Sequence, residues 1–177
     1  GAFANNVETD AGICEVSCTP DYKQARVELE LPTVVSPRQQ LFLSDKCWFF
    51  HKVHFGVPHV IFFVRNLHKF PVNRFGAIIR HHKIFSPEGV NVNFVEIKSG
   101  KIWVRTYERG VEQETLACGS GGAAVSIILS KSKNIPNPIP IVFASKEEVF
   151  YSVCPQQMSC RVVINGSASF VFQGMFV

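Results

Sequence analysis

Alternation of apolar and charged residues at a spacing of two is the feature that most restricts the fold of this chain. The segment from Ala25 to Leu31, ARVELEL, places Val27, Leu29 and Leu31 on one side, which is typical of a half-buried β-strand. Eight further segments are predicted as strands: Trp48–His54, His59–Val64, Val92–Ile97, Lys101–Tyr107, Ile141–Ala144, Val149–Cys154, Arg161–Ile164 and Ser169–Phe172. We therefore expect strands to dominate the fold.

Two stretches have the character of helices. One runs from Pro71 to His82, and the other runs from Gly119 to about Lys131 and is followed by the proline-rich segment NIPNPIP, a typical helix exit. The sequence therefore predicts an α+β fold, with strands packed around one or two helices.

Length, charge and hydropathy exclude several classes of protein. A chain of 177 residues that is 46% hydrophobic can form one core or two small ones. The net charge of +4 is spread along the sequence rather than gathered in a basic run, so no nucleic-acid partner is expected. The longest apolar run, Gly121 to Leu129, is too short to span a bilayer, and no charged-then-apolar leader opens the chain. We expect a soluble, cytoplasmic protein with no membrane partner.

The cysteines and histidines do not form a metal-binding pattern. No CxxC occurs, and pairs such as His51/His54 and His81/His82 lack cysteine or carboxylate partners at zinc-site intervals. A chain of this size does not need disulfides, so free thiols and no bound metal are expected. The six cysteines are Cys14, Cys18, Cys47, Cys118, Cys154 and Cys160.

The stretch ETLACGSGGA places Cys118 directly before the glycine-rich start of the second predicted helix. The first turn of such a helix presents unpaired backbone N–H groups and the positive end of its dipole, and glycines let a ligand approach the backbone. A thiolate at that position is stabilised, so we expect a lowered pKa and a reactive thiol. The alternative is an inert cysteine buried at a tight turn.

The segment YERG, ten residues upstream, offers a second group of polar residues. A Glu-Arg pair at the end of a strand is most often a solvated surface pair. Next to a reactive thiol, Arg109 could instead bind a carboxylate through its guanidinium fork, and Glu108 could bind an ammonium group or assist proton transfer.

Four segments together resemble diaminopimelate epimerase, a family of cofactor-independent enzymes. VRTYERGVEQETLACGSGGAA resembles the carboxy-terminal signature of the family, FGVPHV its Gly-Asn-Pro-His turn, FSPEGVNVNF its Phe-Pro-Glu-Gly stretch and NGSASFVFQGMF its closing strand. VETDAG is similar to the strand that follows the amino-terminal half of the family. The YERG block favours this family over the related phenazine-biosynthesis and proline-racemase groups.

The resemblance implies a mixed or antiparallel sheet wrapped around a central helix, and inversion of an α-carbon by two opposed cysteines without a cofactor. Inversion requires a base on one face of the carbon and an acid on the other. Cys118 matches the second thiol. The resemblance makes Gly119 and Ser120 ligands of the α-carboxylate of an amino-acid substrate, His59 and Glu108 polar neighbours of the thiols, and Asn91 and Arg109 ligands of the distal end.

The first cysteine of the family lies in a Cys-Gly-Asn-Gly motif upstream of VETDAG, where this chain has only GAFANN. We therefore expect one complete half of the fold plus remnants of the other: residues 1–24 as a remnant of the amino-terminal domain, 25–165 as the carboxy-terminal domain, and 166–177 as a strand returning to the amino-terminal domain. Exposed strand edges follow. The expected partner is the missing half, or a second copy in a homodimer, and the chain alone is expected to be inactive.

Two further departures concern the site itself. Val57 stands where the family turn carries asparagine, which predicts looser recognition of the distal carboxylate and a broader substrate range, unless Val57 is only a packing residue. The loop between Arg109 and Cys118 is one residue longer than usual, which leaves the distance from Glu108 to Cys118 open. A non-catalytic domain that binds a carboxylate or a partner remains the alternative function.

Overall fold

A computed structural model describes residues 3–9, 12–43, 45–169, 171 and 174. Within these ranges the α-helices are α1 (Val72–Arg80) and α2 (Gly119–Leu129), and two short 3-10 helices span Leu67–Lys69 and Lys83–Phe85. The strands are β1 (Phe3–Thr9), β2 (Gly12–Cys18), β3 (Gln24–Val35), β4 (Gln39–Leu43), β5 (Lys46–Phe55), β6 (Val57–Phe63), β7 (Asn91–Lys98), β8 (Lys101–Glu108), β9 (Gln113–Thr115), β10 (Ile139–Val142), β11 (Glu148–Pro155) and β12 (Ser159–Ser167).

Eight strands close into a mixed barrel. Hydrogen-bonded neighbours follow the order β3-β12-β11-β10-β8-β7-β6-β5, and β5 pairs again with β3. The pairs β6–β7 and β8–β10 are parallel, and the others around the ring are antiparallel. Closure uses a short antiparallel ladder in which Thr33, Val34 and Val35 oppose Phe55, His54 and Val53. Closing the ring removes the exposed edges that these strands would otherwise have.

The main hydrophobic core includes α2 together with side chains from all eight barrel strands. Residues Gly121 to Ile127 of α2 are all buried, and a helix that is apolar on every side belongs in an interior. A second cluster lies against α1, where Phe62 and Phe94 pack with Phe70 and Trp48. The amphipathic helix α1 covers this second cluster with Val72 and Ile79.

The hairpin of β1 and β2 extends the sheet beyond the barrel. β2 pairs with β3, and β1 pairs with β2 along its whole length. Val7 and Ile13 on this hairpin are exposed. The division of the chain at residues 24 and 166 stays a prediction.

The predicted elements agree with the structure over most of the chain. Both helices are confirmed, α1 being shorter than the predicted Pro71–His82 by a residue or two at each end. The predicted strands from Ala25 to Ile164 are confirmed with shifted ends. Phe170 and Phe172 of the last predicted strand, Ser169–Phe172, and Asp10 and Ala11 of VETDAG lie outside the described residues, and Ser169 and Val171 are not in a strand. Strands β2, β4 and β9 were not predicted, whereas the end of β1 belongs to the VETDAG segment that resembles a strand of the family.

No helix in the described part of the chain is long and apolar enough to cross a membrane. All six cysteines are free, three of them buried: Cys14, Cys118 and Cys160.

Candidate active site

The predicted site residues gather at one end of the barrel because of strand direction. β6 and β7 are parallel and place His59 opposite Asn91 near their starts. β8 runs antiparallel to β7 and ends there, at Glu108, which Arg109 follows. The amino end of α2, with Cys118, Gly119 and Ser120, reaches the same end. Residues that are as far apart in sequence as His59 and Ser120 are therefore brought to the same end of the barrel.

Cys118 is held at the N-cap of α2 by the chain on both sides. Before it, β9 pairs with β8, and the carboxylate of Glu114 accepts two hydrogen bonds from the Arg105 guanidinium, at 2.6 and 2.7 Å. The backbone N–H of Ser145 donates to the carbonyl of Leu116 at 2.9 Å. After it, the Gly121 N–H donates to the Cys118 Sγ at 3.3 Å. The sulfur thus takes the place that an oxygen fills in most helix caps.

The surroundings of Cys118 raise its pKa to about 12, chiefly because burial disfavours the thiolate and secondly because the Glu108 carboxylate accepts a hydrogen bond from the thiol. Ser120, whose Oγ lies 3.6 Å from the sulfur, and the Gly121 N–H act in the opposite direction. The prediction of a lowered pKa is therefore wrong for the described chain. The N–H groups of the first turn of α2 favour the thiolate, but burial and the Glu108 carboxylate have a larger and opposite effect on the pKa. Cys118 is therefore a protonated thiol at neutral pH.

We expect Glu108→Gln to accelerate alkylation of Cys118. Removing the carboxylate charge lowers the pKa of the thiol, and each unit is a tenfold gain in thiolate, the form that reacts. Mass spectrometry of the Cys118 peptide after timed iodoacetamide labelling at about pH 8 measures this rate. The labelling rate of the exposed Cys47, measured in the same digest, controls for the amount and reactivity of the iodoacetamide. Unchanged or slower labelling of Cys118 in the variant would contradict the role given to Glu108.

The longer loop between Arg109 and Cys118 is absorbed in a turn rather than displacing Glu108. Gly110 has a φ of +91°, which favours glycine, and the Glu112 N–H donates to the Glu108 carbonyl at 2.9 Å. The Glu112 carboxylate in turn accepts from the Gly110 N–H and from Arg80. The Glu108 carboxylate remains close enough to Cys118 to raise the pKa of its thiol.

Asn91 and Arg109 are linked through the backbone. The Arg109 N–H donates to the Asn91 Oδ1 at 2.8 Å, and the Arg109 guanidinium donates to the Glu88 carbonyl at 3.3 Å. Asn91 is buried, whereas Arg109 is half-buried. Because an ionised carboxylate can only accept, the group that Asn91 can offer such a ligand is its amide N–H.

The glycines after Cys118 have different surroundings. A Cβ on Gly119 would meet no heavy atom within 4 Å, so this backbone is open to a ligand. A Cβ on Gly121 would lie 2.4 Å from the Asn93 Oδ1, and one on Gly122 would lie 2.2 Å from the Tyr151 hydroxyl. Only Gly119 therefore fits the expected ligand approach. Gly121 and Gly122 are required by packing inside the protein.

The sequence did not indicate Asn93, Thr106 or Tyr151, all of which are buried near the start of α2. Asn93 contacts His59 through its amide nitrogen, 3.3 Å from the imidazole Nδ1. Period-two alternation was the one available signal for Asn93, because it places the residue on the same side of β7 as Asn91.

A cavity of about 730 Å³ lies away from these residues. It is bounded by the β7–β8 hairpin, with Trp103, Lys98 and Lys101, and by the turn at residues 143–146. None of the predicted site residues lines it. We identify the candidate site by the chemistry around Cys118 rather than by cavity size.

The model of the diaminopimelate epimerase family matches residues 51–171. The chain is 38% identical over 128 residues to diaminopimelate epimerase of Chlamydia trachomatis serovar L2, which covers 72% of this chain and 43% of that protein. It is 33% identical over 178 residues to diaminopimelate epimerase of Aquifex aeolicus, which covers 98% of this chain and 63% of that one. The chain thus spans roughly half the length of these relatives.

Solved structures share the fold at low sequence identity. A probable proline racemase from Agrobacterium radiobacter superposes with a TM-score of 0.77 at 16% identity, covering 97% of this chain and 59% of that one. A hydroxyproline epimerase from Agrobacterium vitis gives a TM-score of 0.74 at 16% identity, over 96% of this chain and 58% of that one. These likenesses establish the barrel architecture alone. The family match, the curated relatives and the YERG and ACGSG segments place this chain in the diaminopimelate epimerase family.

Proposed function

We propose that this chain is the carboxy-terminal portion of a cytoplasmic, cofactor-independent epimerase that interconverts LL- and meso-diaminopimelate for lysine and peptidoglycan precursor synthesis. The observation that carries the proposal is the Cys118 thiol at the N-cap of α2, where the Gly121 N–H donates to its sulfur at 3.3 Å and the carboxylate of Glu108 is close enough to act on its pKa. Family membership supports the reaction type. The substrate enters between this half and a second half that contributes the opposed thiol.

In this mechanism Cys118 begins as the acid. Its raised pKa keeps the proton on sulfur, so the thiol can deliver it to one face of the α-carbon while the opposed thiolate removes the proton from the other face. In the reverse direction Cys118 must ionise, and Glu108 is the neighbouring base that can accept its proton. The first N–H groups of α2, at Gly119 and Ser120, stabilise the substrate α-carboxylate as negative charge develops on it.

The distal end of the substrate is assigned to Asn91 and Arg109. The amide N–H of Asn91 donates to the distal carboxylate, and the guanidinium of Arg109 adds a charge-assisted hydrogen bond. Arg109 must exchange the Glu88 carbonyl for the ligand in this role. That contact is a single neutral acceptor, so a carboxylate can replace it favourably.

We expect Val57→Asn to sharpen substrate selection in the complete enzyme. Val57 is half-buried at the start of β6, two positions before His59, and carries no hydrogen-bonding group. An amide there can donate to the distal carboxylate, so the ratio of kcat/KM for diaminopimelate to that for glutamate should rise about tenfold or more. Steady-state rates with both amino acids measure the ratio. An equal ratio in both proteins would leave Val57 as a packing residue.

The complete reaction is tested with and without the upstream half. In deuterated buffer we expect no deuterium at the substrate α-carbon with this chain alone, and uptake with inversion when the upstream half is supplied in trans or by extending the chain. Clear exchange catalysed by the isolated chain would overturn the two-thiol arrangement. Carboxylate binding without any exchange in the complemented protein would favour the non-catalytic alternative.

A further inference from the structure

We propose that Asn93 is a positioning residue that holds His59 in the tautomer with its hydrogen on Nε2, so that His59 serves the site as a hydrogen-bond donor and not as a base. The catalytic consequence rests on the proposed function, whereas the tautomer itself does not. Both side chains are fully buried, Asn93 on β7 and His59 on β6.

The orientation of the Asn93 amide is fixed by two neighbours. The Thr106 hydroxyl donates to one amide atom at 2.9 Å, and the carbonyl of Val60 lies 3.2 Å from the other. A backbone carbonyl can only accept, so the atom facing Val60 is the amide nitrogen, and the atom facing Thr106 is the oxygen. The hydrogen-bonding network therefore determines which amide atom points where.

The same amide nitrogen lies 3.3 Å from the Nδ1 of His59. Because an amide nitrogen donates, Nδ1 must accept through its lone pair. Burial, aided by the positive charges of Arg109 and His54, lowers the pKa of His59 to about 3. The imidazole is therefore neutral at physiological pH, and its single hydrogen is on Nε2.

The Nε2 group is buried and has no hydrogen-bond partner among the residues that the structure describes. A buried donor without an acceptor is destabilising, and a ligand that carries an acceptor removes this cost. The permanently charged group that faces His59 is the guanidinium of Arg109, so the acceptor that fits is anionic. We assign the Nε2–H to a carboxylate oxygen of the substrate.

Asn93 also connects His59 to the turn that holds the thiol. Its Oδ1 packs so closely on Gly121 that a Cβ there would lie at 2.4 Å, and the Gly121 N–H is the group that donates to the Cys118 sulfur. One side chain thus fixes both the tautomer of the histidine and the space next to the first turn of α2.

Long-range proton–nitrogen NMR spectra of the chain with ¹⁵N-labelled histidine test the tautomer directly, with His59 assigned from the His59→Gln variant. Between roughly pH 5 and 8, the range in which an unperturbed histidine titrates, we expect an unchanging neutral signature with hydrogen on Nε2 only. Hydrogen on Nδ1, or formation of the imidazolium within this range, would overturn the proposal.

Asn93→Asp tests the role of Asn93, because a carboxylate can only accept and should draw a hydrogen onto Nδ1. In the complemented enzyme kcat should fall about 10- to 100-fold, whereas the exposed Asn134→Asp should change neither the spectrum nor kcat. Asn93→Leu removes the donor without adding charge, and an Nδ1–H population should then appear. An unaltered His59 signal in both Asn93 variants would exclude the positioning role. If the complemented wild type fails to epimerise while its His59 keeps hydrogen on Nε2, the proposed function fails and the tautomer assignment stands.

Discussion

Cys118→Ser should abolish epimerisation by the complemented enzyme. Serine keeps the size and the N-capping geometry of cysteine, but its hydroxyl is a far weaker acid and its alkoxide is inaccessible at neutral pH, so proton transfer on one face of the substrate stops. General acid–base catalysis by one group contributes about 10²–10⁴-fold, and we expect kcat to fall by at least that range. Optical rotation or coupled assay of product formation measures the loss.

The matched control is Cys47→Ser, which removes an exposed thiol on β5 and should leave the rate within a factor of two of wild type, since exposed substitutions rarely perturb a protein. Equal loss in both variants would point to a general effect on folding. Retention of activity in Cys118→Ser would show that the acid on this face is another group.

Gly122→Ala should destabilise the barrel, although alanine is the better helix former. The new methyl group would lie 2.2 Å from the Tyr151 hydroxyl and 2.8 Å from the Phe143 ring, and Tyr151 is fully buried, so neither ring can move aside freely. Overpacking of this kind costs about 1–3 kcal/mol, more than the roughly 1 kcal/mol that alanine gains over glycine in a helix. The free energy of unfolding, from urea titration, measures the difference.

Gly119→Ala is the control for stability, since its Cβ would meet no heavy atom within 4 Å. We expect its free energy of unfolding to stay within about 0.5 kcal/mol of wild type. If Gly122→Ala were as stable as Gly119→Ala, the close approach of α2 to Tyr151 would be wrong. The pair thus separates a glycine needed for packing from one that is open to a ligand.

Local patterns in the sequence were sufficient to locate most elements and the start of α2. Period-two alternation identifies strands because one face of each is buried, and the glycine-rich segment after Cys118 marks a helix start. Strands β4 and β9 are short, so they carry too few alternations to be recognised. The ladder between β3 and β5 that closes the ring has no local signal, because it depends on register between distant segments.

The chemistry of the site was less predictable than its position. The pKa of Cys118 depends on burial and on a carboxylate brought in from β8, so the glycine-rich motif alone suggested the wrong direction of shift. The role of Gly121 depends likewise on Asn93, which is 28 residues upstream. Side chains brought in from other elements, rather than the motif itself, determine which backbone N–H groups of α2 a ligand can reach and whether Cys118 is a thiol or a thiolate.

The ring order has a consequence for the sequence of events during synthesis. β12 is hydrogen-bonded to β3 along its whole length, with Ser159 opposite Pro32 and Ser167 opposite Gln24, so early and late segments must meet before α2 is enclosed. Pairing between such distant segments is intrinsically slow. Until β12 has left the ribosome, the ring of strands around α2 stays open, because β12 is the strand that joins β11 to β3. Thiol-labelling of ribosome-bound chains of increasing length should therefore show full protection of Cys118 only after Ser167 has emerged.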